Sequence, residues 1–246
     1  MQKLIIVGGG SAGWMAASYI SRHLPQLDIE VIASQAIPTI GVGEATLPGI
    51  KDFYRILGLT DQQVIQQTQA TVKLGIQFEN WRQLDTTFFH PFGLYGQAQS
   101  NLEFQHCWLK CYQQQPQKHA LANYSLATQM AMHNKFIADS HKISQQYPAQ
   151  WSTYDYALHF DANLFAKLLQ QQAQSSGVSF TQGQIEAVTL LDNGQINQLV
   201  LQDGSVKQAD FYIDCSGFAA ELIGKALNSQ WLDWSEHLPC DKAIVV

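Results

Sequence analysis

The sequence predicts an α/β fold built on a parallel sheet, and three observations carry that expectation. A short apolar strand, Lys3-Leu-Ile-Ile-Val7, runs straight into Gly8-Gly-Gly10-Ser11-Ala12-Gly13, and a helical pattern begins at once with Trp14, Met15, Ala16 and Ala17. After that helix a second apolar run, Asp28 to Ser34, has the length and composition of another strand. Beyond residue 154 the same grammar returns, with a capped helix and three strands, the last of them running into a strand–glycine passage at Asp214-Cys-Ser-Gly-Phe218.

The order strand, Gly-x-Gly-x-x-Gly, helix is what a dinucleotide-binding turn requires. Gly8 allows the tight turn, Gly10 lets the backbone approach a pyrophosphate, and Gly13 lets the helix pack on the strand. The pyrophosphate would rest on the free N–H groups and positive dipole end of that helix, which makes Gly8, Gly10, Ser11, Ala12 and Gly13 the first candidate site residues. Pro25 closes the helix. In such a unit an acidic residue at the end of the second strand holds the ribose. Here the end positions are Ala33 and Ser34, so Ser34 and backbone groups are left for that task.

Residues 37–46 (IPTIGVGEAT) form a Gly-rich loop leading to a helix start, with Pro48 in the first turn and Gly58 at the end. Spacing does not separate an ordinary surface turn from a loop whose backbone passes close to a ligand. Thr60 then caps another helix, with Gln63 at capping-box distance. Residues 71–81 (TVKLGIQFENW) alternate as one strand, Val72, Leu74, Ile76 and Phe78 on one face, Lys73, Gly75, Gln77 and Glu79 on the other. Composition alone reads Lys73 as solvent-facing. The alternative is a site, since Gly75 two residues on would leave open space on the same face.

Residues 86–148 are rich in aromatics and glutamine and lack the βα rhythm, as expected of a mainly helical insertion. Its rings either pack a core or line a flat-ligand pocket. His90, His106, His119, His133 and His141 share no metal spacing and are read as structural. The expected division is a discontinuous nucleotide-binding domain of residues 1–84 and 151–246 with a substrate-side insertion of residues 85–150. In the second part Asp161 caps an amphipathic helix that Gly177 ends. Three strands follow (GQIEAVTLL, INQLVLQ, VKQADFYIDCSGF), joined by turns at Asp192-Asn-Gly194 and Asp203-Gly204, and a helical run over residues 219–227 comes last.

Composition narrows the function classes. With 46% hydrophobic and 14% charged residues the chain reads as globular, and a net charge of −6 without a basic run argues against a nucleic-acid surface. No apolar stretch is long enough to span a bilayer, and no signal peptide is seen. Cys107, Cys111, Cys215 and Cys240 are read as plain buried thiols, which suits a reducing, cytoplasmic setting. The sequence stops in an apolar run, Lys242-Ala-Ile-Val-Val246, so the fold is expected to continue past Val246.

In order along the chain, Gly8-Gly-Gly-Ser-Ala-Gly-Trp-Met-Ala-Ala17, Ile37-Pro-Thr-Ile-Gly-Val-Gly-Glu-Ala-Thr46, Lys73 before Ile76-x-Phe78-x-x-Trp81, Phe89-His-Pro-Phe-Gly93, His159-Phe-Asp-Ala162, Asp214-Cys-Ser-Gly-Phe218 and Cys240-Asp-Lys-Ala243 resemble the N-terminal half of the flavin-dependent tryptophan halogenases. The glycine turn with its tryptophan and the Gly-Val-Gly-Glu-Ala-Thr loop are the specific parts. The resemblance implies an FAD-binding, Rossmann-like α/β domain with a β-meander, its C-terminal part missing. It also implies FAD reduced by a separate flavin reductase, O₂ and halide as co-substrates, and a small aromatic substrate, tryptophan or another indole-like ring. In that family hypohalous acid reaches a lysine beside the substrate, and Lys73 matches its position. Gly43, Glu44 and Ala45 match the strap between flavin and substrate cavities, and Ile185 of the meander is placed with the cofactor.

Several parts of the family pattern are absent. The acid is replaced by Ala33, Trp231-Leu-Asp-Trp234 has the wrong spacing for the Trp-x-Trp-x-Ile-Pro signature, and the later flavin segment and catalytic glutamate are expected after Val246. On this reading the piece in hand should not halogenate by itself. Two other readings stay open: a flavin-dependent aromatic hydroxylase, and a non-catalytic flavin- or nucleotide-binding relative that keeps the fold without the chemistry. Halide preference and oligomeric state are not legible.

Overall fold

The computed structural model describes residues 2–34, 36, 44–98, 100–137 and 154–242. Gly43 with the rest of the Gly-rich loop before Glu44, His141, and the chain's last four residues lie outside the described residues. In chain order the strands are β1 (Lys3–Val7), β2 (Asp28–Ala33), β3 (Thr71–Lys73), β4 (Gly75–Glu79), β5 (Thr87–Pro91), β6 (Ala157–His159), β7 (Ser179–Gln182), β8 (Ile185–Leu190), β9 (Ile196–Leu201), β10 (Val206–Lys207) and β11 (Phe211–Asp214). The helices are α1 (Ser11–His23), α2 (Ile50–Ile56), α3 (Asp61–Thr68), α4 (Phe104–Gln114), α5 (Leu126–Met132) and α6 (Ala162–Ser175). Two compact units result, one of Met1–Glu44, Phe53–Ala70 and Phe160–Val246, the other of Ala45–Asp52 and Thr71–His159.

The first unit is the expected parallel sheet, in the order β11-β1-β2-β7. Alternation along β1 and β2 splits their side chains between two faces. Ile5, Val7 and Ile32 form one core with Leu199 and Leu201 of the antiparallel β10-β9-β8 meander and with Leu222. Leu4, Ile6, Ile29 and Val31, all buried, are left for the opposite face. Trp14 of α1 meets Phe180 of β7 with ring centroids 5.6 Å apart, and α1 packs on α6, where Ser18 Oγ donates to the Leu169 carbonyl at 3.1 Å. The caps stand as the sequence has them. Thr60 and Gln63 form a complete capping box, and the Asp161 carboxylate accepts the Asn163 and Leu164 N–H groups.

Three details of this unit differ from the sequence reading, the first being the strand β7, which the sequence did not mark. The run 206–218, expected as one strand, divides into β10 in the meander and β11 in the parallel sheet. At the break the Asp210 carboxylate accepts the Gln2 and Lys3 N–H groups at 2.6 and 2.9 Å, which turns the chain in beside β1. The helical run 219–227 is a 3-10 turn (Gly217–Ala219) followed by a π-helical turn (Glu221–Ala226).

A buried charge sits within this sheet. Glu30 of β2 is 4% exposed and is paired with Lys3 of β1 at 3.0 Å and with Lys207 of β10, while Thr181 of β7 donates to it at 2.6 Å. Burial pushes its carboxyl up, but the hydrogen bonds from Lys207, Thr181 and Lys3 and the Lys3 charge outweigh that and hold it at about 2, against an ordinary 4.5. A depressed carboxylate contributes stability that is fully present above pH 4.5 and is lost as pH falls toward 2. Glu30→Gln should therefore cost about 3 kcal/mol at neutral pH, the low end for breaking a buried pair because both ammonium groups can rehydrate. It should also flatten the acid limb, and denaturant titrations at pH 7 and pH 3 would measure both effects.

The second unit departs more from expectation. The alternating run 71–81 is not one strand but two in different sheets, β3 paired antiparallel with β6 and β4 with β5. The chain breaks at Leu74, whose carbonyl accepts the Phe92 N–H at 2.8 Å. Gly75 does not leave open space beside Lys73. A Cβ there would collide with the His90 carbonyl oxygen and lie 2.6 Å from the Phe89 ring, so the glycine permits β5 to approach. Lys51 is buried and forms an ion pair with Asp155, its ammonium 3.8 Å from the Tyr156 ring centroid. The thiols are not the buried set the sequence suggested: Cys111 and Cys240 are exposed, Cys107 and Cys215 half-buried.

Candidate functional site

In the first unit the site begins at the turn after β1. Gly8 has φ +116°, a region closed to most side chains, and its N–H donates to the Ile32 carbonyl at 2.8 Å. A Cβ on Gly8 would strike the Cys215 carbonyl oxygen, and one on Gly13 would strike the carbonyl oxygen of Gly8. Both glycines are therefore demanded by backbone crossing close to backbone. Gly10 takes the N-cap position in extended geometry with no side-chain cap, and the first helical hydrogen bond runs from Trp14 N–H to the Gly10 carbonyl at 3.1 Å. The N–H groups of Ser11, Ala12 and Gly13 consequently have no partner within α1, and the first turn carries no acidic residue. A half-exposed helix start with three such donors and a glycine-lined approach is a cradle that an anionic diphosphate fits.

The flanks of the turn are tied down. The Cys215 N–H donates to the Val7 carbonyl at 2.7 Å. Asp214, opposite Val7 in the sheet register, accepts the Ser216 N–H and hydroxyl and the Leu222 and Ile223 N–H groups at 2.6–3.0 Å. Burial raises the Asp214 carboxyl, yet these donors hold it below its usual range; burial and then the Asp214 charge push the Cys215 thiol up. This aspartate cap over the π-helical turn was not anticipated from sequence, although the Asp-Cys-Ser-Gly motif marks its place. At the end of β2, Ser34 Oγ accepts the Ala36 N–H at 3.2 Å and keeps its own proton to donate. Ile185 starts β8 and packs against the core that holds Val7 and Ile32.

In the second unit Lys73 ends β3, half-buried rather than solvent-facing. Its ammonium donates to the Thr46 carbonyl at 3.1 Å and lies 5.4 Å from the centroid of the buried Phe92 ring. It opens on a cavity of about 400 Å³ whose walls include Leu74, Phe89, Met130, Phe136 and His159. That volume falls in the range of small-molecule sites, and the wall mixes Phe89, Met130 and Phe136 with the polar Asn134, Lys135 and His159. Thr71 and Lys73 pair with His159 and Ala157, which sets Lys73 and His159 on one face of the β3–β6 pair. The cost of desolvating its charged form first, and the Lys73 charge second, lower the imidazole of the exposed His159 from its usual value.

Residues 3–246 match the tryptophan halogenase family. The chain belongs to that family. Tryptophan 7-halogenase RebH of Lentzea aerocolonigenes is 34% identical over a 267-residue alignment that covers 99% of this chain and 48% of that protein. Among solved structures, BrvH, a flavin-dependent halogenase from Brevundimonas sp. BAL3, is 41% identical with a TM-score of 0.87, covering 98% of this chain and 47% of that one. Xcc4156, a flavin-dependent halogenase from Xanthomonas campestris, is 38% identical with a TM-score of 0.83 over 95% of this chain and 46% of its own. The chain thus spans about half the length of the relatives it matches.

The candidate residues divide between the two units. Gly8, Gly10, Ser11, Ala12, Gly13, Ser34, Glu44 and Ile185 belong to the first unit, Ala45 and Lys73 to the second, and Gly43 lies outside the described residues. Sequence reasoning missed Thr46, the acceptor for the lysine, and His159, on its face. The signals present were the Gly-Glu-Ala-Thr loop, in which Thr46 is the last residue, and the His-Phe-Asp-Ala motif, in which His159 is the first. Among the described residues no helix is long and apolar enough to cross a membrane.

Proposed function

We propose that the full-length protein is an FAD-dependent halogenase acting on an electron-rich aromatic, tryptophan or another indole-like ring, and served by a separate flavin reductase. The observation that carries this reading is a half-buried lysine, held by a backbone carbonyl, facing a cavity with Phe89 and Phe136 in its wall, in a chain of this family. The N–H groups of Ser11, Ala12 and Gly13 would hold the FAD diphosphate, and the Ser34 hydroxyl would donate to the ribose. FAD, when bound and reduced, would with O₂ supply the oxidation of halide to hypohalous acid. Lys73 would then donate a hydrogen bond to the oxygen of that acid. As the ring attacks the halogen, the O–halogen bond breaks and the oxygen leaves as water with a proton from the ammonium. The ring proton passes to a base and from there restores the Lys73 ammonium, so that arene and hypohalous acid become aryl halide and water. The half-burial of Lys73 and the Phe92 ring beside its ammonium reduce its contact with bulk water, which strengthens its hydrogen bond.

The test is product formation by the full-length protein with reduced FAD, O₂ and an indole, with and without bromide or chloride. Halogenated product only when halide is present is the expected result. Hydroxylated product without halide would replace this reading with a monooxygenase. Failure to bind FAD would favour a non-catalytic relative, the reading to which Ala33 in place of the ribose-binding acid points.

A further inference from the structure

Lysine carries its charge on a flexible four-carbon stem, so a reaction that depends on where the ammonium points needs something to fix it. The acceptor is the carbonyl of Thr46, 3.1 Å from Lys73 Nζ. That carbonyl is held in turn. The Thr46 N–H donates to the Leu158 carbonyl at 3.0 Å, the Thr46 hydroxyl donates to the same oxygen at 2.7 Å, and the Leu158 N–H donates to Thr46 Oγ1 at 3.0 Å. Leu158 is fully buried in β6, and the other edge of β6 pairs with β3, the strand that carries Lys73. The backbone of the lysine and the acceptor of its ammonium are thus both referenced to one buried strand, and a hydroxyl closes the frame.

Building on the halogenase reading, we infer that Thr46 is a positioning residue, whose side chain locks the carbonyl that aims the Lys73 ammonium into the cavity. Thr46→Val keeps the shape of the side chain but removes both hydroxyl bonds and leaves the Leu158 N–H unpaired. Thr46→Ser keeps both bonds. A third change reaches the acceptor itself: replacing Leu47 by its α-hydroxy acid turns the Thr46–Leu47 amide into an ester and weakens the Thr46 carbonyl as an acceptor. Among the described residues the Leu47 N–H donates no backbone hydrogen bond, so little else is lost.

The experiment compares these three variants and Lys73→Ala in the full-length protein, on the aromatic substrate found by the halide assay. It measures kcat and KM per bound FAD and the hypohalous acid that escapes to a diketone scavenger in solution. Thr46→Val should lower kcat by about 10- to 100-fold, as an ångström-scale misplacement does, with KM and FAD affinity unchanged and more oxidant escaping. Thr46→Ser should behave as wild type, and the ester should move kcat and escape in the same direction as Thr46→Val by a smaller factor. A purely structural role would reduce the amount of FAD-loaded protein and leave kcat per FAD and the escaping fraction alone, which would overturn the inference. So would an ester variant with wild-type kcat, and that variant decides the matter if Thr46→Val does not fold. Retained turnover in Lys73→Ala would instead remove the halogenase reading of the lysine, a separate failure.

Discussion

Lys73→Ala in the full-length protein should abolish halogenation while FAD binding stays at the wild-type level. A positioned proton donor contributes about 10²–10⁴-fold to a rate, and that is the loss expected if the ammonium assists departure of the oxygen from hypohalous acid. If the lysine instead carries the halogen itself as a haloamine, no residual route through the side chain remains and the loss is larger. The expected separation of readouts follows from geometry: Lys73 ends a strand of the second unit, and the glycine turn is in the first. Lys73→Arg should not rescue. The guanidinium is broader, fixed as a fork and never deprotonated, so it cannot reproduce a compact ammonium 3.1 Å from one carbonyl. Turnover with reduced FAD, halide and substrate, beside a separate FAD titration, measures both; a Lys73→Ala enzyme that still halogenates would take Lys73 out of the mechanism.

What the sequence disclosed about this fold is what short-range chemistry writes. The strand–glycine–helix opening, the Thr60–Gln63 capping box, the Asp161 cap and the glycines at 194 and 204, with φ of +82° and +79°, each answer a local demand of the backbone, and each stands as read. Failures cluster where the decision is made by a distant partner. Residues 71–81 alternate perfectly, yet Leu74 interrupts them because the Phe92 N–H takes its carbonyl. Ser179–Gln182 becomes a strand through its pairing with β2, not through its own polar composition. Gly75 read as free space because a missing side chain says nothing of what fills the gap, here the β5 backbone.

The candidate site divides in the same way. Its anion cradle was legible because the spacing of three glycines marks the turn, although what forbids a side chain at Gly8 is the distant Cys215 carbonyl. Lys73 was placed only by resemblance, since one lysine in an alternating strand has no local mark of burial. Thr46 was invisible: its partner Leu158 lies 112 positions away, and the bond to Lys73 spans 27. The network around Glu30 was hidden for a like reason, drawing its cations from β1 and β10, with Lys207 177 positions distant.

Gly13→Ala should abolish FAD loading, and Gly204→Ala should leave it intact, although the chemical change is identical. At Gly13 the new methyl runs into the carbonyl oxygen of Gly8, a backbone atom that cannot rotate away, and the Gly8 N–H is fixed to Ile32. Relief requires either α1 to move off β1 or the turn to open, and both displace the N–H groups of Ser11 and Ala12 from a bound diphosphate. Forced overpacking typically costs about 1–3 kcal/mol and sometimes more, which corresponds to a loss of about 5- to 150-fold in affinity where the bound state bears it. At Gly204 a Cβ meets nothing within 4 Å, and the cost is only the left-handed φ of +79°, about 1–2 kcal/mol of stability in a hairpin turn. FAD titration of the full-length variants, read beside their thermal melts, distinguishes a lost cradle from a loosened fold. Gly13→Ala with unchanged FAD affinity would mean that the diphosphate rests elsewhere. Gly13→Ala with a wild-type melt and no FAD bound would tie the glycine to the ligand and not merely to the packing of α1, because the collision is with the Gly8 carbonyl, in the turn that leads into the donors.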